Sequence, residues 1–213
     1  MEPRRDEGIV LRKWPVTESS LVVTWFTRQA GKIKTMAKGA RRMRGPFVGQ
    51  LDLFYRDEVL YLPSRRSELH LLTECAVLEP HVGLRESVER LAAAQYVVEL
   101  VELATEWEDP QPVVFEELAG ILGTLEAVRE PGPVLVWFEM RLLRWAGWQP
   151  RWRADRPEER LLESLGAMNL AGAARVRVAP EQLVAAWRVV WGAWDNSVGR
   201  EPRTRRLLGK IGN

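Results

Sequence analysis

Seven cations stand between positions 28 and 44 with no acidic residue among them: Arg28, Lys32, Lys34, Lys38, Arg41, Arg42 and Arg44. Lys32, Lys34 and Lys38 share parity in an alternating segment, so they project from one face of a strand. Like charges gathered within about one Debye length, roughly 8 Å at physiological salt, repel and cost folding free energy. A nucleic-acid backbone offsets that cost, because its condensed counterions are released when phosphates meet cations. Lysines alone suffice to protect a strand edge from aggregation, and the loop arginines go beyond that need. Arg203, Arg205 and Arg206 form a second basic cluster near the end of the chain.

Aromatic residues supply the other half of a strand-binding surface. Trp25, Phe26 and Phe47 are candidates for stacking on splayed bases. Alternation puts Trp25 and Phe26 on opposite faces, so at least one of them belongs to the core. Trp148 and Trp152 stand beside Arg151 and Arg153 in a basic, aromatic loop at 147–157, a candidate groove for an acidic-aromatic peptide of a partner.

Bond-making chemistry has little support. His70 lies on a strand and His81 just after Pro80, with no nucleophile motif, glycine-rich phosphate loop or carboxylate-metal spacing nearby, so a non-enzymatic role is expected. Cys75 is the only cysteine, which excludes an internal disulfide and a thiolate metal cluster within one chain and fits a reducing cytoplasm. No run of 18 uncharged apolar residues and no signal-like segment behind Met1 is present, so a cytoplasmic protein with no membrane contact is expected.

The net charge of +2 conceals segregation. Residues 1–50 hold 11 basic and 4 acidic side chains, residues 51–150 hold 8 and 18, and residues 151–213 hold 12 and 7. Basic ends around an acidic middle suit a polyanion held by the ends, or a dipolar surface with no partner.

The elements that must position these residues change character at Pro80. Before it, strand signals fall at 8–14, 20–27, 32–39, 51–55, 58–62 and 69–78, with turn residues between them. About five strands in some 70 residues predict a small closed or nearly closed antiparallel barrel. After it, the period becomes helical. A broadly apolar helix is predicted over 85–108, with Tyr96, Leu100, Leu103 and Trp107 on one stripe. Further helices are predicted from Pro112 to near Leu125, over 134–146, around 158–165 and from Pro180 through Trp194. The class is α+β: a domain over 1–79 built only of strands, then a mainly α-helical domain over 80–213.

Gly8-Ile9-Val10-Leu11-Arg12, Leu21 to Thr27, Gly31-Lys32-Ile33 and Ala37-Lys38-Gly39-Ala40-Arg41-Arg42 resemble, in order and spacing, the opening of RecO recombination mediators. The likeness continues more weakly through Leu84-Arg85-Glu86, Phe138 to Leu143, Gly199-Arg200 and Arg203 to Arg206. It implies an N-terminal OB-fold, a five-stranded oligonucleotide-binding barrel, followed by a helical domain. It further implies binding of single- and double-stranded DNA, annealing of complementary strands, and work with RecR to load RecA onto DNA coated by single-strand-binding protein, whose acidic tail is a partner. Many members of that family carry paired zinc-binding cysteines after a Gly-aromatic-x-Pro segment. Here Gly147-Trp148-Gln149-Pro150 leads instead to Asp155 and Glu158, so no zinc or other cofactor is expected. Two other readings fit the residues: an RNA-binding barrel protein of translation or RNA processing, and a helical interaction scaffold with an incidental basic barrel.

Overall fold

A computed structural model describes residues 2–148, 152 and 155–208. It divides into two compact units, Met1–His81 with Thr105–Ala119, and Val82–Ala104 with Gly120–Asn213.

The first unit is a closed five-stranded barrel in the order β1-β2-β3-β5-β4. Its strands are β1 (Arg4–Pro15), β2 (Leu21–Thr27), β3 (Gly31–Ala37), β4 (Arg56–Leu62) and β5 (Leu69–Glu79). This is the OB-fold. One pairing departs from an all-antiparallel barrel: β3 and β5 run parallel over Lys34–Met36 and Leu69–Leu71. The long connection from β3 to β4, followed by the β4–β5 turn, brings β5 back in the direction of β3 and closes the barrel without an exposed edge.

β1 serves two neighbours, β4 with its first half and β2 with its second. Between them the register shifts at Val10–Arg12. There the Val10 N–H donates to the Tyr55 carbonyl and the Phe54 N–H to the Val10 carbonyl, both at 3.0 Å. The strand expected over 51–55 is therefore a turn-rich segment that fills the bulge, with Phe54 at a positive φ of 69° and Leu51 buried in the core. The inward residues Val10, Val23, Trp25, Ile33, Ala37, Phe47, Val59, Tyr61 and Leu72 fill the interior.

Residues 105–108, expected at the end of a helix, leave helical geometry and, with Asp109, lie along β3. The Glu108 N–H donates to the Lys32 carbonyl at 2.9 Å, and Trp107 bridges Lys32 in parallel. Gly31 permits this approach, since a Cβ there would sit 2.2 Å from the Asp109 carbonyl oxygen and its φ is +70°. Phe115 then packs on Phe26 across the outside of the hairpin, ring centroids 6.3 Å apart.

The second unit holds α1 (Val88–Ala104), the later part of α2 (Pro112–Ala127), α3 (Gly132–Trp145), α4 (Pro157–Gly166), α5 (Leu170–Ala173), α6 (Pro180–Val198) and α7 (Arg205–Leu208). α3, opened by Pro133 in its first turn, is central: it packs on α1, α4, α5 and α6 and is almost wholly buried. α6 ends at Gly199, whose φ of 67° supplies the left-handed cap. No described helix is long and apolar enough to cross a membrane.

Candidate nucleic-acid interface

The loop after β3 presents the densest group of unpaired cations. Its hydrogen bonds keep it compact: the Arg42 N–H donates to the Gly39 carbonyl and the Gly45 N–H to the Arg42 carbonyl, both at 3.0 Å. Gly39 sits at a φ of +75°, and a Cβ on Gly45 would meet the Gly39 carbonyl oxygen at 2.2 Å, so both glycines are required by the turn. The loop is tied to the β1–β2 connection through the Arg41 N–H on the Ser19 carbonyl, at 3.1 Å, and the Arg41 guanidinium on the Thr17 carbonyl, at 3.0 Å. Lys38, Arg41, Arg42 and Arg44 are exposed. None of the four is ion-paired among the described residues, and Met43 between them is 95% exposed.

The other three cations of the run are engaged inside the unit. Arg28 pairs with Glu116 and, at 3.1 Å, with Glu7, and its guanidinium lies 4.9 Å from the Phe115 ring centre. Burial raises the Glu7 pKa, but hydrogen bonds from Arg56 and Arg28 outweigh it and hold the group below its ordinary value. Lys32 is 4% exposed and donates from Nζ to the Thr105 carbonyl at 2.5 Å. Lys34 is partly exposed, 4.2 Å from the Trp107 ring centre and 3.9 Å from Glu68. Lys32 is thus corrected from a phosphate contact to a buried anchor of the 105–109 segment. A buried ammonium must be bonded within the fold, and its charge is unavailable to a ligand.

The proposed stacking aromatics are likewise interior. Trp25 and Phe26 are wholly buried and Phe47 is 4% exposed. Trp25 donates its indole N–H to Thr35 Oγ1 at 2.8 Å, while Phe26 is covered by Phe115. None offers a ring face to a base. The exposed aromatics of this unit are Trp14 on β1 and Trp107, neither of which was singled out from sequence as a stacking residue. Arg12, exposed on β1, also escaped notice. Strand register was the missing signal: Arg12, Thr24 and Lys34 form one row across β1, β2 and β3, and Trp14, Val22 and Met36 the next.

A larger cavity of about 1070 Å³ opens at the start of β1, lined by Arg4, Arg5 and Arg65 but equally by Glu2, Asp6 and Glu108. Its opposed charges give no net attraction for a polyanion. His70, on its wall, takes a hydrogen bond on Nδ1 from the Ser64 N–H at 3.2 Å and stacks on Tyr61. Burial lowers its pKa, which favours the neutral ring.

In the second unit, Arg205 is 6% exposed. Its guanidinium donates to both Asp195 oxygens at 2.9 and 3.0 Å, lies 3.9 Å from Glu139 and sits over the Trp191 ring. Arg205 therefore stabilises a fully buried carboxyl and is corrected from a DNA contact to an internal ion-pair partner. Burial pushes the Glu139 pKa up to about 7, against the Tyr96 hydroxyl bonded at 2.6 Å and the Arg205 charge. Arg203 and Arg206 are exposed, while Glu99 fixes the segment by accepting from the Arg203 and Thr204 N–H groups and the Thr204 hydroxyl. Trp148 is exposed and Trp152 half-buried; Arg151 and Arg153 lie outside the described residues. Among the described residues no three of His, Cys, Asp and Glu are placed to hold a metal. Asp155 and Glu158 come with no thiolate, so a zinc site of cysteines does not fit here.

Two family models match the chain in succession. Residues 1–81 match the model described as recombination protein O N terminal, and residues 85–157 the one described as recombination protein O C terminal. The chain belongs to the RecO family. It is similar to proteins named DNA repair protein RecO from Rhodopirellula baltica, 34% identical over 143 residues, and from Syntrophus aciditrophicus, 33% over 146. These alignments cover 67% and 68% of this chain and 53% and 56% of those RecO proteins. The RecO of Myxococcus xanthus is 36% identical over 152 residues, 71% of this chain and 62% of its own length. The chain thus spans about half to three-fifths of the length of these RecO relatives.

Proposed function

We propose that this RecO-family chain is a non-enzymatic, cytoplasmic DNA-binding protein that captures single and double strands electrostatically, and that its first contact is the loop carrying Lys38, Arg41, Arg42 and Arg44. The observation that carries the reading is that four exposed cations share one short, glycine-bounded loop without an ionic partner among the described residues. Exposed cations held together in this way repel, and phosphates relieve the repulsion. In this reading Arg203 and Arg206 add a second basic contact, Lys34 a weaker one, and no bond is made or broken. By family resemblance the same binding serves annealing of complementary strands and, with RecR, loading of RecA onto DNA coated by single-strand-binding protein.

Annealing of fluorescently labelled complementary oligonucleotides coated with single-strand-binding protein tests the reading. The wild-type chain should accelerate it, and the K38E/R41E/R42E variant should not. Four phosphate contacts predict that log K falls against log salt with a slope of about −3 for single strands. A slope near zero, or equal affinity for wild type and variant, would sink the proposal. Preference for RNA over a matched DNA strand would move it to an RNA-binding role through 2′-hydroxyl contacts.

A further inference from the structure

We propose that Met43 is a wedge for double-stranded DNA: the tip of the basic loop enters the minor groove, and the Met43 side chain inserts at a base step, unstacking it and kinking the duplex. The inference rests on the nucleic-acid reading above and assigns to this loop a task that its charges alone do not perform.

The backbone makes the tip. The Arg42 N–H on the Gly39 carbonyl and the Gly45 N–H on the Arg42 carbonyl close two tight turns in succession, 39–42 and 42–45. Met43 and Arg44 are the two central residues of the second turn, and both are exposed. The corner residues of such a turn lie within about 7 Å of each other, and the minor groove is about 6 Å wide before a bend opens it. The major groove, about 12 Å wide, would hold so narrow a tip loosely. The loop is also stiff. Arg41 ties it to the Ser19 and Thr17 carbonyls, and Phe47, 4% exposed, roots its far end in the barrel core. A tip held in advance loses little freedom when it engages, so its deformation energy goes into the DNA.

The chemistry of the tip points the same way. Met43 is 95% exposed, the most exposed large apolar side chain among the described residues. A single apolar residue at a surface ordinarily needs no explanation. This one occupies a turn position that favours polar residues, with Arg41 and Arg42 before it and Arg44 after it. Arginines are drawn to the negative potential of the minor groove, and an unbranched, polarisable thioether adapts to the gap between two bases. Arginine contacts with an apolar wedge between them are the means by which proteins kink a duplex from its minor groove. Unstacking costs free energy. Removing Met43 from water and bringing the arginines closer to both phosphate backbones offset that cost. Steps that unstack readily, TpA and CpA, are therefore preferred although no base edge is read.

The experiment uses the full chain and a duplex of about 20 base pairs with fluorophores at its ends and 2-aminopurine at a central TpA step. Wild type should raise the 2-aminopurine fluorescence and shorten the end-to-end distance through a bend of about 20° or more. M43A should bind within about five-fold of wild type with the same salt slope, yet leave the duplex stacked and straight, whereas M43L should bend it. A mismatch at the central step lowers the unstacking cost, so it should tighten wild-type binding by about three-fold or more and leave M43A binding unaltered. Oxidation gives a check on the unsubstituted chain. Hydrogen peroxide transfers one oxygen to the Met43 thioether and leaves as water; the polar sulfoxide should abolish the bend and methionine sulfoxide reductase should restore it, while M43L treated alike keeps bending. A duplex that stays straight and stacked on wild type, or a bend that survives M43A, would overturn the inference and leave electrostatic capture standing. If wild type binds no duplex, the nucleic-acid reading has itself failed and the inference falls with it.

Discussion

Two basic runs that look alike in the sequence, 38–44 and 203–206, are used in opposite ways by the fold. In the first, four side chains point into solvent from a loop of the barrel unit without ionic partners among the described residues. In the second, Arg205 turns inward and spends its charge on Asp195 and Glu139, leaving Arg203 and Arg206 outside. The lesson concerns availability. A cation serves a polyanion only where the protein supplies no anion of its own, and that depends on neighbours distant in sequence: Glu139 lies 66 positions from Arg205. The same contrast recurs within the barrel run, where Lys32 is buried and Lys38 is exposed six residues later.

The comparison can be broken most forcefully at Arg205. Truncation to alanine takes the cation from the buried Glu139 and the half-exposed Asp195 and should lower stability by about 2 kcal/mol at pH 8, and by less at pH 6, where Glu139 keeps its proton. Denaturant unfolding measures it, and DNA affinity of the folded variant should stay within two-fold of wild type. A large loss of affinity with intact stability would put Arg205 back among the DNA contacts. Lys32→Met is the milder counterpart in the barrel. Loss of the bond to the Thr105 carbonyl should lower stability by about 1.5 kcal/mol, with salt dependence of DNA binding unaltered. A slope reduced by about 0.7 would show that Lys32 does reach a phosphate.

The finest distinction concerns two buried carboxyls. Glu139 has Arg205 nearby, whereas Asp57, wholly buried in β4, is raised to about 7 by burial, opposed by the Cys75 thiol. A carboxyl whose folded pKa lies above its unfolded value holds its proton more tightly when folded. Stability is then greatest at low pH and falls as pH rises towards the folded pKa, levelling off above it. Between pH 6 and 8 each such group should remove about 1 kcal/mol. In Asp57→Asn half of that decline should disappear, visible as a flatter plot of melting temperature against pH. An unchanged plot would show that Asp57 is ionised in the folded chain at pH 6.

Much of the architecture was legible along the chain because it is local. β-branched and aromatic runs such as Leu21 to Thr27 declare strands, Pro133 and Pro180 open helices in their first turns, and Gly39 and Gly45 bound the loop that holds the arginines. The failures share one cause. Leu51 to Tyr55 has the composition of a strand but fills a bulge in β1, and Trp107 continues a helical stripe yet is drawn onto β3 by the Lys32 carbonyl and the space at Gly31. In both, a distant backbone group needing a partner overrode the local pattern.

By itself the sequence determined the order of barrel and helices, the family, and the presence of an unbalanced basic run, since periodicity, motif spacing and charge are properties of the chain read in order. Only tertiary structure decided which cations lack an ionic partner among the described residues and which tryptophans are exposed. Those depend on long-range pairing, where a register shift or an ion pair with a residue 66 positions away sets the burial of a side chain.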